Sequence, residues 1–263
     1  YLSPTEEQIA AAASESPEAA PNTDLPEKAL GFRVQAYGMT KHRDLFTDRQ
    51  LVGLTTFSDL VGEARKLARA DALLCGMSDD GVPLAASGSG AQAYADAVAM
   101  YLAFAVDRMA MTGNSLVRWN PVGEKAQHAF GRQALSMLWD FAEPNFLAKA
   151  TGSVSAAIEL IADPLELLPI GEGRALQRDA TELTSAVKPL VATDPPYYDN
   201  IGYADLSDFF YTWLRQSLGC IFSDLFQTLL VPKATELIAS PHRHDGNTQM
   251  AERFFEAGLL KAF

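Results

Sequence analysis

Apolar residues recur at three- and four-residue intervals through the first half of the chain, and that spacing predicts helices. Leu51, Leu54, Phe57, Leu60, Val61 and Ala64 form one such stripe. Thr47 stands before it with Gln50 three residues on, the pattern of a capping box. Residues 76–90, with Asp79-Asp80-Gly81, read as a loop. A second long helix follows, with Tyr94, Val98, Leu102, Ala105, Val106 and Met109 on one face. The spacing of Phe130, Ala134, Met137, Leu138 and Phe141 predicts its partner over residues 126–141. A helix over 156–168 ends at Pro169 and Gly171.

Beyond this point the apolar runs shorten. Residues 174–178 read as a short strand that ends at Asp179-Ala180, and 190–193 as the next strand. A helix over 209–218 carries Phe210, Trp213 and Leu214 at helical spacing. Residues 229–231 read as extended, and 251–263 as an amphipathic helix. Alternation of this kind predicts an α/β fold. The expected division is a linker over 1–30, rich in Ala, Pro, Glu and Ser with one short helix, then a mainly helical region over 31–150, then an α/β domain over 151–263.

Composition narrows this picture. The chain has 263 residues, 48% of them hydrophobic and 21% charged, enough for a sizeable core. No apolar run is long enough to span a membrane, so no membrane partner is expected. Tyr1 rather than Met opens the chain, which reads as an internal piece of a longer protein. Cys75 and Cys220 lie far apart and form no metal or disulfide framework, which fits a reducing cytoplasm. The net charge of −12 argues against this segment gripping DNA phosphates by itself.

The chemistry concentrates in Asp194-Pro195-Pro196-Tyr197, which follows the apolar Leu190-Val191-Ala192. An aromatic amine is a poor nucleophile because its lone pair is delocalised into the ring. A carboxylate from Asp194 and a carbonyl from Pro195 accepting its two N–H bonds would localise that pair toward a methyl donor. Two prolines stiffen the loop and donate no N–H of their own. Tyr197 offers a flat face for an unstacked base, and such a base must first leave the duplex. Tyr198, Asn200 and Tyr203 follow closely enough to line a base pocket.

The stretch from Thr193 through Asp194-Pro195-Pro196-Tyr197-Tyr198-Asp199-Asn200 to Asp208-Phe209-Phe210-Tyr211-Thr212-Trp213 resembles the adenine-specific DNA methylases of a large bacterial and archaeal group that often carries a zinc ribbon. Weaker blocks, among them residues 25–37, 94–98, 139–143 and 229–233, are similar to the same group. The resemblance implies a partial Rossmann-like sheet dependent on S-adenosylmethionine, with a mainly helical insertion. It implies methyl transfer to N6 of adenine in DNA, with Asp194, Pro195, Pro196 and Tyr197 catalytic and DNA bound through the full-length protein. Asp179 resembles the acidic residue that contacts the cofactor adenine, although a helix-capping Asp has the same signature. The group's glycine-rich cofactor loop and cysteine ribbon are missing, so the chain reads as a central fragment. Transfer to N4 of cytosine and a non-catalytic DNA-modification subunit stay open beside this reading.

Other candidates read as structure. Ser87-Gly88-Ser89-Gly90 precedes a helix, but no strand leads into it and no Lys-Ser/Thr follows, so it reads as a solvent loop. His242-Arg243-His244 is too sparse a set for a metal and reads as a surface loop. Trp119 and Trp139 are expected in the core.

Overall fold

The computed structural model describes residues 2–168, 178–182 and 190–263. Among these residues the chain is helical: α1 (Glu6–Ala12), α2 (Asp48–Leu74), α3 (Ala91–Thr112), α4 (Val154–Ala162), α5 (Tyr203–Leu218) and α6 (Thr248–Ala262). Their only sheet is a two-residue antiparallel pair, β1 (Trp119–Asn120) with β2 (Lys125–Ala126). The expected α/β fold with a partial Rossmann-like sheet is therefore corrected to a mainly helical one. The strand expected over 174–178 lies, apart from Arg178, outside the described residues. Residues 190–193 and 229–231 are described, and neither run is a strand. Leu190 is 99% exposed and Val191 69%, which no strand feeding a buried sheet would be. The physical reason is pairing. An apolar run of four becomes a strand only where neighbours complete its backbone hydrogen bonds, and no described segment lies alongside to do so.

α2 begins where the capping box predicts. The Thr47 side chain accepts from the Gln50 amide, and the Gln50 side chain accepts from the Thr47 amide at 2.8 Å. Leu51, Leu54 and Val61 of its stripe are buried, each by an amount worth about 1.5–3 kcal/mol. Leu60, at the margin of the stripe, is exposed.

α3 packs against α2, α4 and α5. Its buried face includes the end of the expected stripe, with Ala105, Val106 and Met109 buried, and is broadened by alanines. Tyr94 is exposed, while Ala91, Ala95, Ala99 and Ala103 form a fully buried row at four-residue spacing. Small side chains along one row let neighbouring helices approach closely.

The same row continues to Asp107, whose carboxylate is buried and whose Oδ1 has no hydrogen-bond partner. Burial alone pushes this carboxyl well above the usual range. The folded state thus holds a proton more tightly than the unfolded chain. Its stabilising effect is fully present below the unfolded carboxyl pKa of about 3.9 and is lost as pH rises through the folded value. Asp107→Asn is expected to raise the neutral-pH Tm by about 2–4 °C or more, and to remove this part of the pH dependence. Thermal melts of both proteins from pH 4 to 8 check it; parallel curves would contradict it.

The core continues into α5 through an aromatic cluster. Trp213 meets the Phe46 ring edge-on at 5.5 Å, and Phe209 stacks on Phe46 at 5.7 Å. Phe130 packs edge-on against Phe209 at 5.1 Å. Phe130 is inward as its spacing suggested, but after Ala126 of β2 residues 127–141 are irregular, with turns and bends rather than the expected helix. Trp119 and Trp139 are both exposed, contrary to their expected place in the core, and Trp139 touches the ring of Tyr37 edge-on.

The last part of the expected linker is packed. Ala20 and Leu25 are buried, and the Leu25 amide donates to the Thr40 carbonyl at 2.7 Å. No described helix is long and apolar enough to cross a membrane.

Candidate functional site

Residues 190–202 form an irregular segment that delivers the chain to the N-terminus of α5. Asp194 and Pro195 are exposed on it. The Asp194 carboxylate accepts a hydrogen bond from the Tyr197 hydroxyl at 3.1 Å. That bond, reinforced by the carboxylate's charge, raises the Tyr197 phenol above its usual range. Tyr197 is 52% exposed, and among the described residues no aromatic side chain stacks on its ring. Its carbonyl accepts from the Asn200 amide at 3.1 Å, closing a tight turn over Tyr198 and Asp199.

Tyr198 differs from Tyr197 in every contact. Its φ is +54°, the left-handed region that a bulky residue rarely enters. Its carbonyl accepts from the Ala239 amide at 3.1 Å. Its hydroxyl donates to Glu252 Oε1 at 3.0 Å, and its ring meets Phe255 edge-on at 5.2 Å, both partners lying on α6. Partial burial, then the Glu252 carboxylate, raise its phenol above the usual range.

The four expected base-holding residues and Tyr198, Asn200 and Tyr203 thus share one stretch, with Tyr203 exposed at the first position of α5. Asp179 stands apart from them in its role. It is exposed, and its carboxylate accepts from the Thr181 amide at 2.8 Å, capping a 3₁₀ turn over Ala180–Glu182. Hydrogen bonds from Thr181 hold its carboxyl below the usual range. This is the capping role that competed with cofactor contact.

Behind the loop lies a charged network that sequence reasoning missed. Arg243 Nη2 meets Asp205 Oδ2 of α5 at 2.9 Å, and its Nη1 bonds Glu236. The other Glu236 oxygen accepts from the Ala204 amide at 2.9 Å, capping the start of α5. Lys233 Nζ lies 2.6 Å from Asp208 Oδ2 as an ion pair off the line of a good hydrogen bond, while Asp208 Oδ1 accepts from the Val231 amide at 2.8 Å. Segment 233–243 is thereby tied to α5 on one side and to Tyr198 on the other. Gly258 of α6 lets it come close, since a Cβ there would fall 2.2 Å from Leu237 Cδ2. Nothing in the spacing of Lys233, Glu236 and Arg243 marks this arrangement, and His242-Arg243-His244 looks like any surface loop.

The described residues contain no strand, glycine loop and helix that would cradle S-adenosylmethionine. Ser87-Gly88-Ser89-Gly90 is held by protein groups instead, with the Ser89 amide donating to Asp80 and the Leu84 amide to Asp96. Compared with protein-family models, curated proteins and solved structures, the chain gives no match.

Proposed function

We propose that this chain supplies the base-holding half of a DNA amino-methyltransferase that acts on N6 of adenine. The observation that carries the reading is the state of the Asp194-Pro195-Pro196-Tyr197 loop. Its carboxylate is exposed, and it accepts a hydrogen bond from a phenol that a substrate amine can displace. In this reading Asp194 and the Pro195 carbonyl accept the two amine N–H bonds, Pro196 keeps the turn rigid, and Tyr197 lies against the base. Tyr198, Asn200 and Tyr203 surround that position. The gain comes from orientation and preorganised acceptors rather than from a general base of unusual pKa, because the amine proton can leave after transfer.

S-adenosylmethionine is the methyl donor in this reading. The described residues do not fit it, since they offer no cradle and Asp179 is engaged as a cap. The donor must then be held outside them, and the DNA phosphates too, given the net charge of −12. The lack of a cradle is also the observation that favours a second reading, a non-catalytic subunit of a DNA-modification assembly. Exposed, unpaired Cys75 and Cys220 fit the reducing cytoplasm in which either would work.

The test is methyl transfer from labelled S-adenosylmethionine to DNA, followed by chromatography of the nucleosides. Label in N6-methyladenine supports the proposal; label in N4-methylcytosine changes the target base. Calorimetry with S-adenosylmethionine decides between the two roles. A chain that binds the donor once its partner is added is catalytic, and one that never does is the non-catalytic subunit.

A further inference from the structure

We propose that Tyr198 is a positioning residue, clamping the base loop from outside so that the neighbouring Tyr197 is left free to take the base. This rests on the base-holding reading of the loop and reassigns Tyr198 from pocket lining to anchor. The two tyrosines are adjacent in sequence and both exposed, but their partners lie in different places. Among the described residues Tyr197 bonds back into its own loop, to Asp194 and, through its carbonyl, to Asn200.

Tyr198 is held at three independent points outside the loop, through its carbonyl on Ala239, its hydroxyl on Glu252 and its ring on Phe255. It also carries a left-handed backbone, the kind of strain that persists only where surroundings over-determine it. The anchors themselves are firm. Ala239, Ala251 and Phe255 are buried, and Arg243 fixes segment 233–243 to α5. A ring set edge-on to Phe255 and a hydroxyl bonded to Glu252 are fixed by α6 rather than free to turn toward a base. What they do offer is a fixed exit angle for the chain immediately after Tyr197.

The experiment is hydrogen–deuterium exchange on the full chain, paired with fluorescence binding of a single-stranded oligonucleotide containing 2-aminopurine by the assembly that holds the DNA phosphates. Tyr198→Ala is expected to speed exchange of the 197–200 and Ala239 amides about tenfold, with the circular dichroism unchanged. Tyr198→Phe, which keeps the ring, and Glu252→Gln should give a smaller rise. Tyr197→Ala should leave these rates unchanged and yet weaken the oligonucleotide about tenfold, as loss of one stacked ring does. Tyr198→Phe should retain most of that binding.

Unchanged exchange in Tyr198→Ala would overturn the anchor. So would a Tyr198→Phe protein that loses as much binding as Tyr197→Ala at unchanged exchange, since Tyr198 would then touch the base directly. If the wild-type chain binds no oligonucleotide even within the assembly that holds the DNA phosphates, the base-holding reading fails separately, and the exchange rates still decide whether Tyr198 clamps the loop. Should Tyr198→Ala not fold, Tyr198→Phe and Glu252→Gln carry the same measurement.

Discussion

Asp194→Ala is expected to lower methyl transfer by about 100- to 1,000-fold in the assembly that holds the methyl donor, with donor binding largely unchanged. The carboxylate acts on charge that develops at the amine nitrogen, so its removal should appear in kcat rather than in cofactor affinity. Asp194→Asn keeps an acceptor without the charge and should fall between the two. A second readout needs no substrate. Asp194 raises the Tyr197 phenol, so in Asp194→Ala that tyrosine should titrate at lower pH by ultraviolet absorbance. Full methylation by Asp194→Ala would remove the basis of the proposed function. An unmoved tyrosine titration would instead remove the Asp194–Tyr197 contact.

Arg243→Ala carries the largest expected cost in stability, about 2–4 kcal/mol by urea unfolding. The arginine is mostly buried, and Asp205 almost entirely so. Truncation leaves two carboxylates facing each other without a cation at the start of α5. Arg243→Lys should restore only part of the loss, because one ammonium cannot reproduce the two-armed geometry that bridges Asp205 and Glu236. Since segment 233–243 also holds Tyr198, Arg243→Ala should loosen the base loop as well. A change below about 0.5 kcal/mol would mark the network as ordinary surface charge.

Helices were the legible part of this chain, because their signals are local. Thr47 and Gln50 are three residues apart and form their cap without help from elsewhere. The helix read over 156–168 is found as α4 with a 3₁₀ extension over Asp163–Leu167, and the last helix is found at Thr248–Ala262. Misreadings arose where structure depends on distant partners. Residues 126–141 carry apolar residues at helical spacing, yet Phe130 satisfies its burial against Phe209 from an irregular backbone. Apolar residues 190–193 have the composition of a strand and no described neighbour to pair with. On α3 the expected face is buried at Ala105, Val106 and Met109 but not at Tyr94, and the alanine row that widens it carries no large residue to mark it.

For the site, the run from Asp194 to Tyr203 could be marked from sequence because its residues are contiguous. The distinction between Tyr197 and Tyr198 could not. It depends on Ala239, Glu252 and Phe255, all more than forty residues onward, and on a backbone angle that no spacing reveals.

The alanine row of α3 also sets how this protein can change over generations. Ala91, Ala95, Ala99 and Ala103 leave no slack for a longer side chain, since overpacking a closed helix contact costs about 1–3 kcal/mol per site. In a saturation library these positions should appear as a column of intolerance every fourth residue, admitting little beyond glycine and serine. The outward positions between them, such as Tyr94, should accept most replacements. Inherited variation would then collect on one side of the helix and leave the other nearly unaltered.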